Sequence, residues 1–393
     1  MNDQQHSHVG RGLDLFDTSP LVGPGLPLWL PDGAVVRGEL ERFALDLSVR
    51  TGCRRVHTPV LAKRELFERS GHWQKFSADM FAPVRVGAEE YVLRPANCPH
   101  HTQVYAARPH SYRDLPVRYA ELGSMFRSEL SGVLTGLRRV RQINLDDAHS
   151  FCRPDQVVEE VRLALSAIEE AYAVLGIPVA RFRLSVRGDR GAHLGDDEVW
   201  RRAEDQLRQA LGDRPHDVAP GEAAFYGPKV DVQVADAAGR EETLSTVQVD
   251  HVQPERFGLE YVGRDGARHR PVMVHRGLLS SVERLVAVLL ERDGGRLPTW
   301  LSPVQLRVLP VSGERHGERA AAVARGFAGL RVQVDADGPL NRRLREARAQ
   351  RVAHVAVVGD AEVADGSVAV GGRNVPVGRF HRELLDEVAR RAR

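Results

Sequence analysis

Four stretches of the chain concentrate side chains that can bind charge, hold a metal or move a proton. They are Tyr91–His101 (YVLRPANCPHH), Arg118–Glu129 (RYAELGSMFRSE), Asp146–Phe151 (DDAHSF) and Val274–Arg284 (VHRGLLSSVER). Guanidinium groups such as those of Arg127 and Arg284 suit reactions in which negative charge builds on carboxylate or phosphate oxygens, because a planar fork holds two oxygens together. A single Arg is ordinarily a solvated surface charge, so residue type alone leaves both readings open. Cys98, His149 and His275 carry metal-binding donors, but they lie far apart in the sequence. Spacing alone makes no site of them, and a lone Cys or His is more often a core residue.

The elements that would carry these stretches follow from periodicity. LVGPGLPLWLPDG is dense in Gly and Pro and reads as a structured loop before a helix that begins near Ala34 and stops at Gly52. Leu40, Phe43, Ala44 and Leu47 give that helix one apolar stripe. Val56 to Leu61 reads as a short strand whose Pro59 marks an edge or interface. Val157, Val158, Val161, Leu165, Ile168 and Tyr172 predict a helix over Asp155–Leu175, and a third helix is expected from Asp197 to Leu211. Alternation at Phe182, Leu184 and Val186, and at Val230, Val232 and Val234, predicts strands. A polar turn over Asp236–Glu242 then leads to a strand Leu244–Val249, so an antiparallel hairpin is expected. Runs of strands with helices set apart favour an α+β domain on an antiparallel sheet. After the Pro-bounded joint Leu297–Pro303, strands at Gln305–Val311, Arg331–Val334 and Ala353–Val358 alternate with helices at Ala320–Phe327 and Leu340–Gln350. That pattern predicts a small α/β domain with a mostly parallel sheet. The expected division is a leader at 1–20, a core at 21–298 and a second domain at 303–393.

Composition sets the class of molecule. With 393 residues, 42% hydrophobic and 27% charged, the chain can bury real cores, and disorder as the main state is excluded. Lys+Arg 55 against Asp+Glu 53 leaves a net charge of +2, which names no partner. Cys53, Cys98 and Cys152 are an odd, sparse set that fits a reducing compartment rather than a disulfide scaffold. No run of about 18 apolar residues occurs, and MNDQQHSHVGRG lacks the apolar core of a signal peptide. A cytoplasmic location is expected.

Taken together, the four stretches closely resemble the threonyl-tRNA synthetases, a family of class II aminoacyl-tRNA synthetases, from about Leu13 to the C-terminus. The first helix with Pro59 is similar to the dimer-forming motif 1, Phe126–Glu129 to motif 2, and Ser281–Arg284 to motif 3. The resemblance implies a class II antiparallel-sheet catalytic domain followed by a small α/β anticodon-binding-type domain. It further implies a homodimer that activates threonine with ATP and Mg²⁺ and transfers it to threonine tRNA. By the match, Arg127 bridges the carboxylate and the α-phosphate, Glu129 receives the adenine amino group, and Arg284 reaches the triphosphate. Arg139, Ile143 and Gln248 fall at ATP-site positions, and the same context points less directly to Arg141. Asp147, Tyr226, Lys229 and Ser281 fall around the amino acid, Lys229 and Gln248 lying near both sites. Cys98, His149 and His275 match the family's zinc triad, which leaves Zn²⁺ open to the substrate's amino group and hydroxyl. Glu362 matches a base-reading Glu, and the helix bearing Arg342, Arg343, Arg345, Arg348 and Arg351 could serve phosphates or simply be a solvated face.

The chain also departs from the family. Gln142-Ile-Asn-Leu145 stands where Gly-Phe-Thr-Gln is usual. Ile143 keeps an apolar cover for adenine but loses π stacking, and Leu145 can neither donate nor accept a hydrogen bond. His100 and Ser280 stand where Gly is usual, adding side chains close to the metal and the nucleotide. Ala336–Asn341 and Val370–Arg373 replace family segments on the anticodon side, which would weaken standard anticodon reading. The family usually carries two upstream domains, one of which removes misacylated serine, so an editing factor in trans is expected if tRNA is charged. The departures keep a rival in view: a paralogue that passes an activated amino acid to a carrier protein or small molecule. A non-catalytic tRNA-binding homologue is disfavoured by the retained arginines and triad.

Overall fold

Eight strands between Arg54 and Ser281 build one large sheet. The computed structural model describes residues 5–188, 193–236 and 239–392. Among these, the sheet comprises β1 (Arg54–Arg55), β2 (Val117–Phe126), β3 (Gln142–Cys152), β4 (Val179–Val186), β5 (His216–Pro220), β6 (Lys229–Ala235), β7 (Glu241–Asp250) and β8 (Val272–Ser281). Their order is β5-β4-β6-β7-β8-β3-β2-β1. All inner neighbours are antiparallel, and only the edge pairs β5/β4 and β2/β1 are parallel. The expected α+β class and the β6/β7 hairpin are therefore observed. Its turn closes through the Asp236 N–H on the Arg240 carbonyl at 2.8 Å, residues 237 and 238 lying outside the described set.

Register and pleat decide what the sheet presents. His149 on β3 stands opposite His275 on β8, and His275 stands opposite Gln248 on β7. Ile143, Leu145, Asp147 and His149 line one cavity, as a period of two requires. Asn144, Asp146 and Ser150, on the opposite face, bond to Glu283, the Leu279 backbone N–H and Glu160. The helix Val157–Leu175 buries Val157, Val161, Leu165, Ile168 and Tyr172, and Tyr172 Oη meets Ser245 Oγ at 2.7 Å. The helix Asp197–Leu211 forms as expected, capped by Asp196 accepting from the Val199 N–H.

Two expectations shift. The first long helix is Pro31–Arg50, starting before Ala34 because Pro at a first helical position forfeits no hydrogen bond. Val56 to Leu61 is not a strand: pairing is confined to Arg54–Arg55 and Leu61–Lys63, and the intervening chain carries Pro59. A buried polar cluster holds this stretch instead. Arg94, 1% exposed, donates to the Ser124 carbonyl at 2.7 Å, Thr58 Oγ1 at 2.6 Å and Glu121 at 3.1 Å. Glu121 on β2 also accepts from the Thr58 N–H, Thr58 Oγ1 and His101 Nε2. Burial pushes the Glu121 carboxyl up, but bonds from His101 and Thr58 and the Arg94 charge outweigh it, and the group sits at about 2.

The contacts divide the chain into two units, the first Thr18–Pro27 with Glu41–Ala287 and the second the residues to Asp17, Leu28–Leu40 and Val288–Arg393. In the second, β9 (Leu306–Pro310), β10 (Val332–Val334), β11 (His354–Val358), β12 (Ser367–Val370) and β13 (Arg373–Pro376) form a sheet ordered β10-β9-β11-β12-β13. Leu306, Val308, Phe327, Val358, Phe380 and Leu384 are in its core. Only β10/β9/β11 are parallel, which corrects the mostly parallel expectation. Gly371-Gly372, with φ of 57° and 79°, makes a two-residue turn too short for a crossover, so β12 and β13 must be antiparallel. Residues read as a polar leader form a helix Gln5–Gly12, whose His6 is buried and bonds Glu291, and a strand Phe16–Asp17 paired with Leu28–Trp29. No helix among the described residues is long and apolar enough to cross a membrane.

Gly227 approaches β7 so closely that an added Cβ would lie 2.1 Å from the Val249 carbonyl oxygen. Gly227→Ala should therefore displace the loop carrying Tyr226 and cost roughly 1–3 kcal/mol in urea unfolding. For Glu121, a carboxyl held at about 2 rather than the ordinary 4.5 contributes stability fully above pH 4.5 and loses it as pH falls through 2. Glu121→Gln should then be less stable at pH 7 by roughly 2–4 kcal/mol, and unfolding measured toward pH 3 should show the gap closing.

Candidate active site

The cavity on the first unit's sheet has a volume of about 420 Å³. Strands β3, β7 and β8 bring His149, Gln248 and His275 to it, and Cys98, at the start of the helix Cys98–Ala106, completes one wall. Donor atoms of Cys98, His149 and His275 lie within 4.8 Å of one another, all three residues buried. His149 Nε2 faces His275 Nδ1 at 2.9 Å, and His275 Nε2 meets Asp250 Oδ2 at 3.1 Å. Burial pushes the Cys98 thiol well up and the His149 imidazole well down. A divalent cation would supply the charge that favours a thiolate, and a neutral imidazole is already the ligand form. One thiolate and two imidazoles aimed at a common point fit Zn²⁺ with an open position.

Guanidiniums line the same cavity. Arg127 is largely buried, its charge 5.1 Å above the Phe76 ring, and its Nε has no partner. Arg284 donates weakly to the Arg138 and Thr243 carbonyls, at 3.3 and 3.4 Å. Burial lowers both guanidinium pKa values, so each is a cation short of counter-charge. Burial first, then the Asp146 and Glu121 charges, pushes the Asp147 carboxyl well above the usual range. An ammonium or metal cation beside it would restore the charged form.

The other expected residues divide. Glu129 lines the cavity with its carboxylate held by Arg139 at 2.7 Å. Tyr226 donates to Gln248 at 2.6 Å and stacks on His275 with centroids 5.1 Å apart. Ile143 and Leu145 lie on the wall, and Ser281 accepts from the Arg284 N–H at 3.1 Å, capping the helix Val282–Asp293. Ser280 adopts φ of 65°, a left-handed conformation natural for Gly, where the β3/β8 register shifts. Lys229 does not line the cavity: its ammonium bonds both Asp231 oxygens at 2.9 and 2.8 Å. Arg141 is likewise spent on backbone, donating to the Glu129 carbonyl at 2.9 and 3.1 Å. His100 is not a cavity residue; its ring lies 5.9 Å from the Phe67 ring, with both nitrogens unpartnered.

Residues that sequence reasoning missed surround the triad. His101 Nδ1 lies 2.7 Å from His149 Nδ1, and His101 Nε2 is 3.1 Å from Glu121. His72 Nε2 lies 3.8 Å from Cys98 Sγ, and burial lowers that imidazole to about 3. The spacing of His101 three residues after Cys98 on a helix was a usable signal. Asp250 and Glu121 carried none, being ordinary polar residues of their strands.

In the second unit, the structure accounts for two of the residues singled out and corrects the reading of Arg343. Glu362 accepts from the Gly359 N–H at 2.9 Å and caps its own short helix. Arg343, 1% exposed, donates to the carbonyls of Pro310, Asp335 and Gly338, so it faces no phosphate.

The family described as tRNA synthetase class II core domain (G, H, P, S and T) matches residues 81–293, and that described as anticodon binding domain matches residues 305–379. A threonine–tRNA ligase of Geobacillus kaustophilus (strain HTA426) is 48% identical over 399 residues, covering 98% of this chain and 61% of that protein. One from Streptococcus sanguinis (strain SK36) is 46% identical over 405 residues, covering 100% and 63%. The chain thus spans about three fifths of the length of these curated relatives. The crystal structure of the RNA binding domain of threonyl-tRNA synthetase from Cryptosporidium parvum Iowa II matches with a TM-score of 0.92 at 36% identity, over 97% of this chain and 98% of that one. With both domain families matched in order and the fold shared throughout, the chain belongs to the threonyl-tRNA synthetase family of class II aminoacyl-tRNA synthetases.

Proposed function

We propose that this chain activates L-threonine with ATP as threonyl-adenylate and transfers the threonyl group to threonine tRNA. The observation that carries the reading is one cavity lined both by two guanidiniums, Arg127, whose Nε is unpartnered, and Arg284, and by the buried Cys98/His149/His275 cluster. In the first step a carboxylate oxygen attacks the α-phosphorus, the bond to the β-phosphate bridge breaks, and pyrophosphate leaves with the electron pair. Arg127 holds the carboxylate and α-phosphate together, and Arg284 lies along the triphosphate, which carries Mg²⁺. Glu129, aligned by Arg139, accepts from the adenine amino group, and Ile143 covers the ring.

Cys98, His149 and His275 would hold Zn²⁺, which when bound supplies a Lewis-acid position for the amino group and hydroxyl of threonine. Valine lacks the hydroxyl and is rejected on chemistry rather than shape. Asp147 accepts from the substrate ammonium, and Tyr226, Gln248 and Ser281 shape the rest of the pocket. Lys229 is assigned to Asp231 rather than to substrate. The functional division follows a catalytic region at 21–298 and an anticodon-binding-type region at 303–393, in a cytoplasmic homodimer. Nothing in the comparisons favours transfer to a carrier protein.

Pyrophosphate exchange should depend on threonine, be weaker with serine and fail with valine. Absence of exchange with every amino acid would sink the reading, and exchange without charging of threonine tRNA would restrict it to the first step. Arg127→Ala should lower exchange by about 10²–10³-fold. For the metal, Cys98→Ala should leave the folded protein without stoichiometric zinc; retention of one zinc per chain would refute the ligand set.

A further inference from the structure

We infer that His101 and Glu121 are positioning residues that fix which ring nitrogen of His149 carries its proton, and so turn a bare Nε2 toward the metal position. The inference rests on the proposed metal reading of the Cys98/His149/His275 cluster.

The argument is an accounting of hydrogens along one buried chain. Glu121 accepts from the Thr58 N–H at 3.2 Å, from Thr58 Oγ1 at 2.7 Å and from Arg94 at 3.1 Å, so it acts as an acceptor throughout. His101 Nε2, 3.1 Å away, must therefore donate to it. A neutral imidazole has one N–H, so His101 Nδ1 is left as an acceptor. His149 Nδ1 lies 2.7 Å from that atom and must be the donor, which leaves His149 Nε2 bare.

An equivalent logic runs from the other strand. Asp250 accepts from the Val252 and Gln253 N–H groups at 2.7 and 2.9 Å and from Gln253 Nε2 at 2.9 Å. His275 Nε2 donates to the same carboxylate at 3.1 Å, so His275 Nδ1 is bare. Two lone pairs then face each other at 2.9 Å beside the Cys98 sulfur, an arrangement that a shared cation relieves. His101 and Glu121 are almost fully buried, so solvent does not scramble the relay. If the relay were reversed, His149 would present an N–H to the metal and could not ligate through Nε2.

The test compares zinc affinity, by chelator competition, in the unsubstituted chain and in His101→Leu, Glu121→Gln and His101→Asn. Removing the acceptor in His101→Leu should weaken zinc binding by about 10–100-fold, with Glu121→Gln changing in the same direction. His101→Asn, whose amide oxygen stands in for Nδ1, should recover most of the loss. A merely structural role would lower stability in all three without moving zinc affinity in the folded protein. Nitrogen-15 NMR of the unsubstituted zinc-loaded protein gives a readout independent of the variants: His149 should carry its proton on Nδ1. Ligation through Nδ1, or unchanged affinity in both His101→Leu and Glu121→Gln while the parent binds one zinc, overturns the positioning role and leaves the metal reading intact. Failure of the parent to bind Zn²⁺ or Co²⁺ at one per chain overturns the metal reading and this inference with it.

Discussion

The β3/β8 register that sets His149 opposite His275 is the constraint on which the site depends. A pleated strand sends successive side chains to opposite faces, so a slip of one residue would exchange Asp147 and His149 for Asp146 and Ala148 on the cavity wall. The far face prevents the slip. Asn144 is held through its N–H and its amide by Glu283, Asp146 accepts from the Leu279 N–H, and Ser150 and Arg118 converge on Glu160. Each bond is made only in the observed register. Polar groups with no part in the chemistry therefore decide that His149 and His275 meet.

The same burial that orders the cavity leaves its charges unfavourably placed. Arg127 and Arg284 are cations in a desolvated wall with few acceptors, and Asp147 is a carboxyl pushed toward its neutral form. The proposed substrates, an amino acid and a nucleotide, would offer the missing partners, with carboxylate and phosphate oxygens for the guanidiniums and an ammonium for Asp147. The folded chain meets the cost of these groups in advance, so in the proposed reaction little reorganisation would remain when charge develops in the transition state. Ser280 is a second local cost at this site, a left-handed serine at the point where β8 departs from regular pairing.

Arginine is abundant throughout, and its uses differ sharply with depth. Arg94 and Arg343 are fully buried and spend their donors on carbonyls or a carboxylate, acting as cross-links between segments. Arg141 does the same for the loop after β2. Arg127, by contrast, lines a cavity with an unpartnered Nε. Side-chain type does not separate these roles; the surroundings that the fold gives each guanidinium do.

The sequence by itself determined the elements whose signals are local. The helices over 157–175 and 197–211 and the β6/β7 hairpin were legible from apolar period and turn residues, because neighbours along the chain specify them. The resemblance carried by four short stretches was enough to group Arg127, Glu129, Arg284, Cys98, His149 and His275. Only the tertiary structure decided which side chains were already spoken for. Lys229 belongs to Asp231, Glu362 to its own helix, and the chain around Pro59 to a buried Arg94–Glu121 cluster rather than to a strand. Those outcomes depend on partners that are distant in sequence or hidden in a loop's geometry. So does the relay from Glu121 through His101 to His149, since a hydrogen bond is set by the approach of two atoms and leaves no periodicity along the chain to read.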